Sequence, residues 1–357
     1  MGIQEPQAVH GLVMSEATAE TNPIREEIDI LSGQGGTNKV RRIVEFAVTL
    51  GIGATLLAVT LYFVDMRSVG DRLSQIGYGA VALAGVMAFA QVILCAVRWH
   101  FVTRQTKTPL SMQNALLGYV EATFVNAFFP TLVASDGARV LRATASGSSP
   151  TNAFVGVVTD RIVALCGLGV ASLTGLFILP DAAQHPLLMM AIVGILPAFL
   201  LGLVVLDIAG RIFVRFSGWR IVRPFLELAS YVRRLRSMPR LTLLVVAISI
   251  TGHAFCAAAF YILGLQLGID IGYWPMFALA ASILVYAAVP LSIGGWGIRE
   301  AVTAALFGLV GVAPSAAVAL SIAFGLLMSV VGFLCGIAAL LVSVRRRTAD
   351  FRRRAAT

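Results

Sequence analysis

Charged residues are scarce. Asp, Glu, Lys and Arg make up 13% of the 357 positions, where a soluble domain carries about a quarter. That excludes an ordinary water-exposed surface. Cysteine is scarcer still: Cys95, Cys166, Cys256 and Cys335 stand singly in apolar segments. With no CxxC and no Cys/His ligand spacing, neither a disulfide framework nor a zinc site is expected. The four histidines are scattered, and His253, inside an apolar run, reads as a packed side chain. The first 38 residues lack the charged, apolar and small-residue sections of a secretory signal. No glycine-rich nucleotide loop occurs either. The sequence assigns no catalytic group, cofactor or metal.

Apolar residues dominate instead, at 58% with a mean hydropathy of +0.87. Six runs are long enough to cross a bilayer: Val44–Val64, Tyr78–Trp99, Phe154–Leu179, Leu187–Leu206, Leu241–Leu265 and Ala316–Val344. Two shorter runs, Asn114–Phe129 and Trp274–Val289, each stop at a proline. The fold class expected is an all-α polytopic membrane protein: about six full crossings and two proline-interrupted segments, re-entrant or broken. Residues 1–38 are expected as a disordered cytoplasmic tail, 39–345 as the membrane domain and 346–357 as a basic cytoplasmic tail.

The net charge of +9 does not point to nucleic acid, because Lys and Arg gather between apolar runs, as topological signals do. Lys39, Arg41 and Arg42 place the first loop in the cytoplasm, and Arg98, Arg104 and Lys107 mark a return there. Asp207–Arg240, with eight arginines, and the tail with Arg345–Arg347 and Arg352–Arg354 lie on the same side. Both termini are then cytoplasmic, and the number of crossings is even. Asn114–Phe129 with Asp136–Arg142 must enter and leave on the inner side, Trp274–Gly311 on the outer. Whether the second segment re-enters or crosses twice stays open.

The two interrupted segments align without a gap. VNAFFPTLVASDGAR, from Val125, and VYAAVPLSIGGWGIR, from Val285, share Val125/Val285, Ala127/Ala287, Pro130/Pro290, Gly137/Gly297 and Arg139/Arg299. Proline stops or kinks a helix, and glycines such as Gly294 and Gly295 open backbone conformations closed to other residues. Broken helices at matching places in two halves point to a transporter site, and opposite entry suggests an inverted repeat. Helix starts near Gly137 and Gly297 would favour an anion. Arg139, Arg142, Arg161 and Arg299 suit a phosphate, with Glu121, Asp136, Asp160 and Glu300 as charge partners. The same residues also admit a plainer reading, as positive-inside markers and structural ion pairs. Since neighbours on a helix point about 100° apart, Asp160–Arg161 and Arg299–Glu300 are each expected to pair elsewhere.

FVNAFFPTLVASDGARVLRA, VVTDRIVAL and above all VPLSIGGWGIREAV resemble the integral membrane region of lysylphosphatidylglycerol synthase and its stand-alone, flippase-like relatives, over about residues 40 to 345. The resemblance implies a protein of the bacterial cytoplasmic membrane that moves a lipid with an anionic headgroup between leaflets, with a lipid-biosynthesis enzyme as a partner. The soluble transferase domain, and with it the synthase activity, is not expected here. Two alternatives stand beside this. One is an enzyme or accessory subunit acting on a polyprenyl-phosphate sugar, against which the outer loops hold only isolated Asp181 and Asp270. The other is a non-transporting scaffold with a basic cytoplasmic loop.

Overall fold

The computed structural model describes residues 64–104, 110–128, 132–178, 194–216, 222–287 and 296–355, with a few separate positions at 51–62 and 218–219. All regular structure among the described residues is helical. In chain order the helices are α1 Met66–Ser74, α2 Tyr78–Thr103, α3 Met112–Phe128, α4 Leu132–Ala145, α5 Pro150–Leu173, the short α6 Gly175–Ile178, α7 Ile195–Phe213, α8 Arg223–Ser237, α9 Pro239–Gln266, α10 Tyr273–Ala287, α11 Ile298–Gly308 and α12 Pro314–Ala355.

Four of these are long and apolar enough to cross a membrane: α2, α5, α9 and the portion of α12 to Arg345. They coincide with four of the six runs expected from sequence. Val44–Val64 falls largely outside the described residues, as does the first part of Leu187–Leu206, whose remainder is α7. The helices start where local chemistry allows. Ser149 caps α5 by accepting from the Asn152 N–H at 3.3 Å, and proline opens α5, α9 and α12, where its missing N–H costs nothing.

The two proline-interrupted segments are pairs of short helices. α3 spans 17 residues and α4 14; α10 spans 15 and α11 11. At about 1.5 Å per residue, none of them reaches the roughly 30 Å of a hydrocarbon core. α3 ends just ahead of Pro130 and α10 just ahead of Pro290. Pro130, Pro290, Gly294 and Gly295 themselves lie outside the described residues. Gly297 is described, and φ of 88° explains why glycine stands there: a side chain resists that region of the backbone map. Gly137, by contrast, is no break. α4 begins at Leu132 and runs through it, so the alignment of Gly137 with Gly297 does not extend to backbone conformation.

The element order repeats. Long, short, short, long describes α2–α5 and again α9–α12, and the contacts between the two sets are reciprocal. α5 packs on α10 as α12 packs on α3, and α5 packs on α9 as α12 packs on α2. Ser172 meets Ser282 across α5–α10 at 2.6 Å. Gly336, equally far from the opening proline of α12, sits so close to Phe124 of α3 that a Cβ would fall 2.3 Å from its ring. Small residues that let helices approach this closely are how membrane helices gain van der Waals contact.

α2 and α9 pack on each other and run antiparallel. The Gly77 N–H at the start of α2 donates to Gln266 Oε1 at the end of α9, 3.3 Å away, while Arg98 near the end of α2 donates to Ser249 of α9 at 3.1 Å. Amphipathic α1 closes this end, its Arg72 Nη1 donating at 3.0 Å to the Leu267 carbonyl just past α9, where helical carbonyls have no intrahelical partner. The register is testable: a Cβ on Gly252 would lie 4.0 Å from Cys95 Sγ. Gly252→Cys should form an oxidant-dependent disulfide with Cys95, retaining both halves in one band after cleavage between α5 and α9. Two separate fragments under oxidising conditions would refute this register.

Candidate functional site

The four helices α2, α3, α4 and α5 converge on Asp160. It is fully buried and accepts from Arg98 Nε at 2.8 Å, Arg98 Nη2 at 3.2 Å, Arg139 Nη2 at 2.6 Å and the Tyr119 hydroxyl at 2.9 Å. Arg98 completes its fork on Ser249. A buried carboxylate survives only with partners of this kind, and here each comes from a different helix. Arg139 also lies 4.4 Å from both the Trp99 and the Tyr119 ring centroids, so its guanidinium is held between two aromatic faces.

Outward from this knot the charges become wetter. Asp136, one turn before Arg139 on α4, is 3.7 Å from it and pairs with Arg161 of α5, whose side chain is 35% exposed. Glu121 of α3 pairs with Arg142 of α4, both about a quarter exposed. Asp160 and Arg161 therefore do find separate partners, as their geometry on a helix requires.

Beside the knot is a cavity of about 210 Å³ bordered by Gln91, Asn126, Asp136, Arg139, Asp160 and Arg161, space for about seven waters at their liquid volume. Arg98 is on its wall too, so three arginines face two aspartates and leave one formal positive charge. Three residues that border it each carry a buried polar atom with no protein partner: Gln91 Oε1, Asn126 Oδ1 and Arg139 Nε. Buried polar atoms normally have one. Turning either amide over presents its NH2 in place of the oxygen, so the wall can offer donors to an anion. Among the described residues no group of three His, Cys, Asp or Glu could hold a metal ion.

Arg299 does not border this cavity. It forms a second buried cluster in which Arg299 and Glu300, expected to seek separate partners, pair with each other. The reason is the start of α11. Glu300 folds back so that Oε2 accepts the Gly297 N–H at 2.6 Å, leaving Oε1 for Arg299 Nη2 at 2.8 Å and the Ser321 hydroxyl at 2.8 Å. Arg299 Nε also reaches Ser321 Oγ at 3.0 Å, and the guanidinium lies 4.7 Å from the Trp296 ring centroid. Gly325 leaves room for it: a Cβ there would come within 2.2 Å of Arg299 Nη2.

Sequence reasoning missed Arg98, Tyr119, Gln91 and Asn126. Arg98 had been read only as a topological marker, although a charge inside the Tyr78–Trp99 run was itself a signal. Tyr119, Thr123 and Asn126 fall at helical spacing on one face of α3 and all border the cavity. His253 is packed, its Nε2 3.2 Å from the Ala164 carbonyl.

A helical bundle with several membrane-crossing helices around a buried, hydrogen-bonded charge cluster defines a polytopic membrane protein with a polar interior site. The chain belongs to the family described as lysylphosphatidylglycerol synthase TM region, whose model matches residues 43–336. That places it among membrane proteins of lipid metabolism. Comparison with individually curated proteins returns no match.

Asp160→Asn would leave two buried arginines short of one charge, and breaking a buried pair costs about 3–5 kcal/mol. The purified variant should melt well below the parent in detergent, whereas Arg161→Gln, at the wet edge, should shift it little. Equal melting of Asp160→Asn and parent would show that the knot does not hold α2–α5 together.

Proposed function

We propose that the chain carries lipids with an anionic headgroup between leaflets of the bacterial cytoplasmic membrane, both termini in the cytoplasm. The observation that carries this reading is the cavity beside Asp160: net positive, bordered by Arg139 and Arg161, with three buried polar atoms awaiting a partner. Its volume suits a phosphate and part of a headgroup rather than a whole lipid, so the acyl chains remain in the bilayer. Arg139 is the residue best placed to meet the phosphate, since its Nε is uncommitted by the protein. Asp160 holds Arg139 in place, and Asp136 orients Arg161.

The reciprocal, antiparallel packing of α2–α5 on α9–α12 supports an inverted repeat, in which α3–α4 enters the membrane from one face and α10–α11 from the other. Short paired helices at matching places in two halves are found in transporters that work by alternating access, and the site here is built mainly by α2–α5 with Met328 of α12 at its edge. The arginines other than Arg299 belong to the α3–α4 half, which the distribution of Lys and Arg in the sequence assigns to the cytoplasmic side. Headgroup capture then begins there. No nucleotide loop is present in the sequence, and movement is driven by a gradient or runs passively. No chemistry on the lipid is proposed. A lipid-biosynthesis enzyme is the partner this activity would serve.

Proteoliposomes with headgroup-labelled phosphatidylglycerol or phosphatidylcholine test the proposal. The parent should accelerate leaflet exchange of the anionic lipid. Arg161→Gln should slow it by about tenfold, the worth of one charge-assisted hydrogen bond, with little change in melting temperature. Absence of protein-dependent exchange for any lipid, glycolipids included, would sink the proposal, as would an Arg161→Gln variant as active as the parent.

A further inference from the structure

Between α5 and α9 the chain makes an elbow: apolar α7, a 3-10 turn at Val214–Phe216, then α8 packed back on α7, α5 and α9. It contributes nothing to the Asp160 cavity. Asp207, nearly buried, fastens the elbow, its Oδ2 accepting from Arg211 at 2.8 Å on α7 and its Oδ1 from Arg233 at 3.1 Å on α8. Below this clamp the helices touch at Gly210 and Ala229, where a Cβ on Gly210 would come within 2.5 Å of the Ala229 Cβ.

Beside that contact the helices part around a slot of about 300 Å³ walled by Leu206, Phe213, Val222, Phe225 and Leu226. Among the described residues its wall carries no charged side chain. It lies between α8 and α7, a helix on which Leu201, Val205, Ile208 and Ile212 are exposed. The residues that flank this lining in sequence are of the opposite character. Arg233 Nη1 lies 3.4 Å from where a Gly210 Cβ would be, Arg211, Arg215 and Arg223 are exposed, and the Asp207–Arg240 segment holds eight arginines against Asp207 and Glu227. Trp219, exposed at the bend, is the residue type that settles at a membrane boundary.

An apolar slot flanked in sequence by exposed arginines, beside an exposed apolar helix surface and followed directly by a crossing helix, fits an amphiphile with one anionic end. We propose that the elbow binds one anionic phospholipid of the adjoining leaflet, an acyl chain in the slot and the phosphate against Arg211, Arg215 and Arg223. Polybasic segments beside a membrane helix attract anionic lipid; the slot adds a seat for the chain. This site is separate from the Asp160 cavity, and its failure would leave the transport reading untouched.

The test uses the full chain in lipid nanodiscs containing either brominated-acyl phosphatidylglycerol or brominated-acyl phosphatidylcholine. Trp219 emission is isolated by difference from Trp219→Phe. Phosphatidylglycerol should quench Trp219 several-fold more than phosphatidylcholine. The double variant Arg215→Gln/Arg223→Gln, both at exposed positions that leave the Asp207 clamp intact, should bring quenching by the two lipids close to equal, while Arg161→Gln should leave the preference unchanged. Equal quenching by the two lipids in the parent would overturn the site, reducing the elbow to a surface resting on the bilayer. Quenching by iodide but by neither lipid would also overturn it, as would a preference that survives the double variant.

Discussion

The structure depends on one carboxylate. Asp160 joins α2 through Arg98, α3 through Tyr119 and α4 through Arg139, from its own place on α5. In the interior of a membrane protein an ionised group without partners is costly, so Asp160 and its arginines must be assembled together or not at all. The α3–α4 helix pair, too short to span the bilayer, gains from this knot the anchorage that its length does not provide. The cavity lies beside the knot, and three residues that border it, Gln91, Asn126 and Arg139, each keep a buried polar atom that the protein does not satisfy.

The second set of helices shows what the same architecture looks like without a charged site. Where α2 and α5 are joined by Arg98 and Asp160, α9 and α12 are joined by Phe260 stacked on Phe324, ring centroids 4.0 Å apart. Such a swap is energetically reasonable, because a buried ion pair is seldom more stabilising than well-packed apolar residues of similar volume. The Arg299–Glu300–Ser321 cluster remains on the other side as a closed unit, with Glu300 both capping α11 and neutralising Arg299.

Much of this was legible in the sequence. Apolar runs located the crossing helices, the prolines located the ends of α3 and α10, and Arg139, Asp160, Asp136 and Arg161 were singled out and lie together. Two readings failed for local reasons. Gly137 was taken for a helix start because it follows Pro130 and aligns with Gly297, but a glycine inside a helix is tolerated at a cost of about 1 kcal/mol. Arg299 and Glu300 were sent to different partners because their Cβ vectors diverge, yet Glu300 turns back to the Gly297 N–H and so meets its neighbour. The elbow was legible only as charge. Its apolar slot depends on how α7 and α8 fold together at Gly210 and Ala229, which no spacing in the sequence reveals.

The central claim is that the cavity beside Asp160 receives an anionic headgroup, and ligand-induced stabilisation measures this most directly. A short-chain phosphatidylglycerol should raise the melting temperature of the detergent-purified parent more than a short-chain phosphatidylcholine does. Asn126→Leu, which narrows the cavity and replaces an orphaned amide with an apolar side chain, should abolish most of that difference. A preference for phosphatidylglycerol that persists undiminished in Asn126→Leu, or no preference in the parent, would contradict the account.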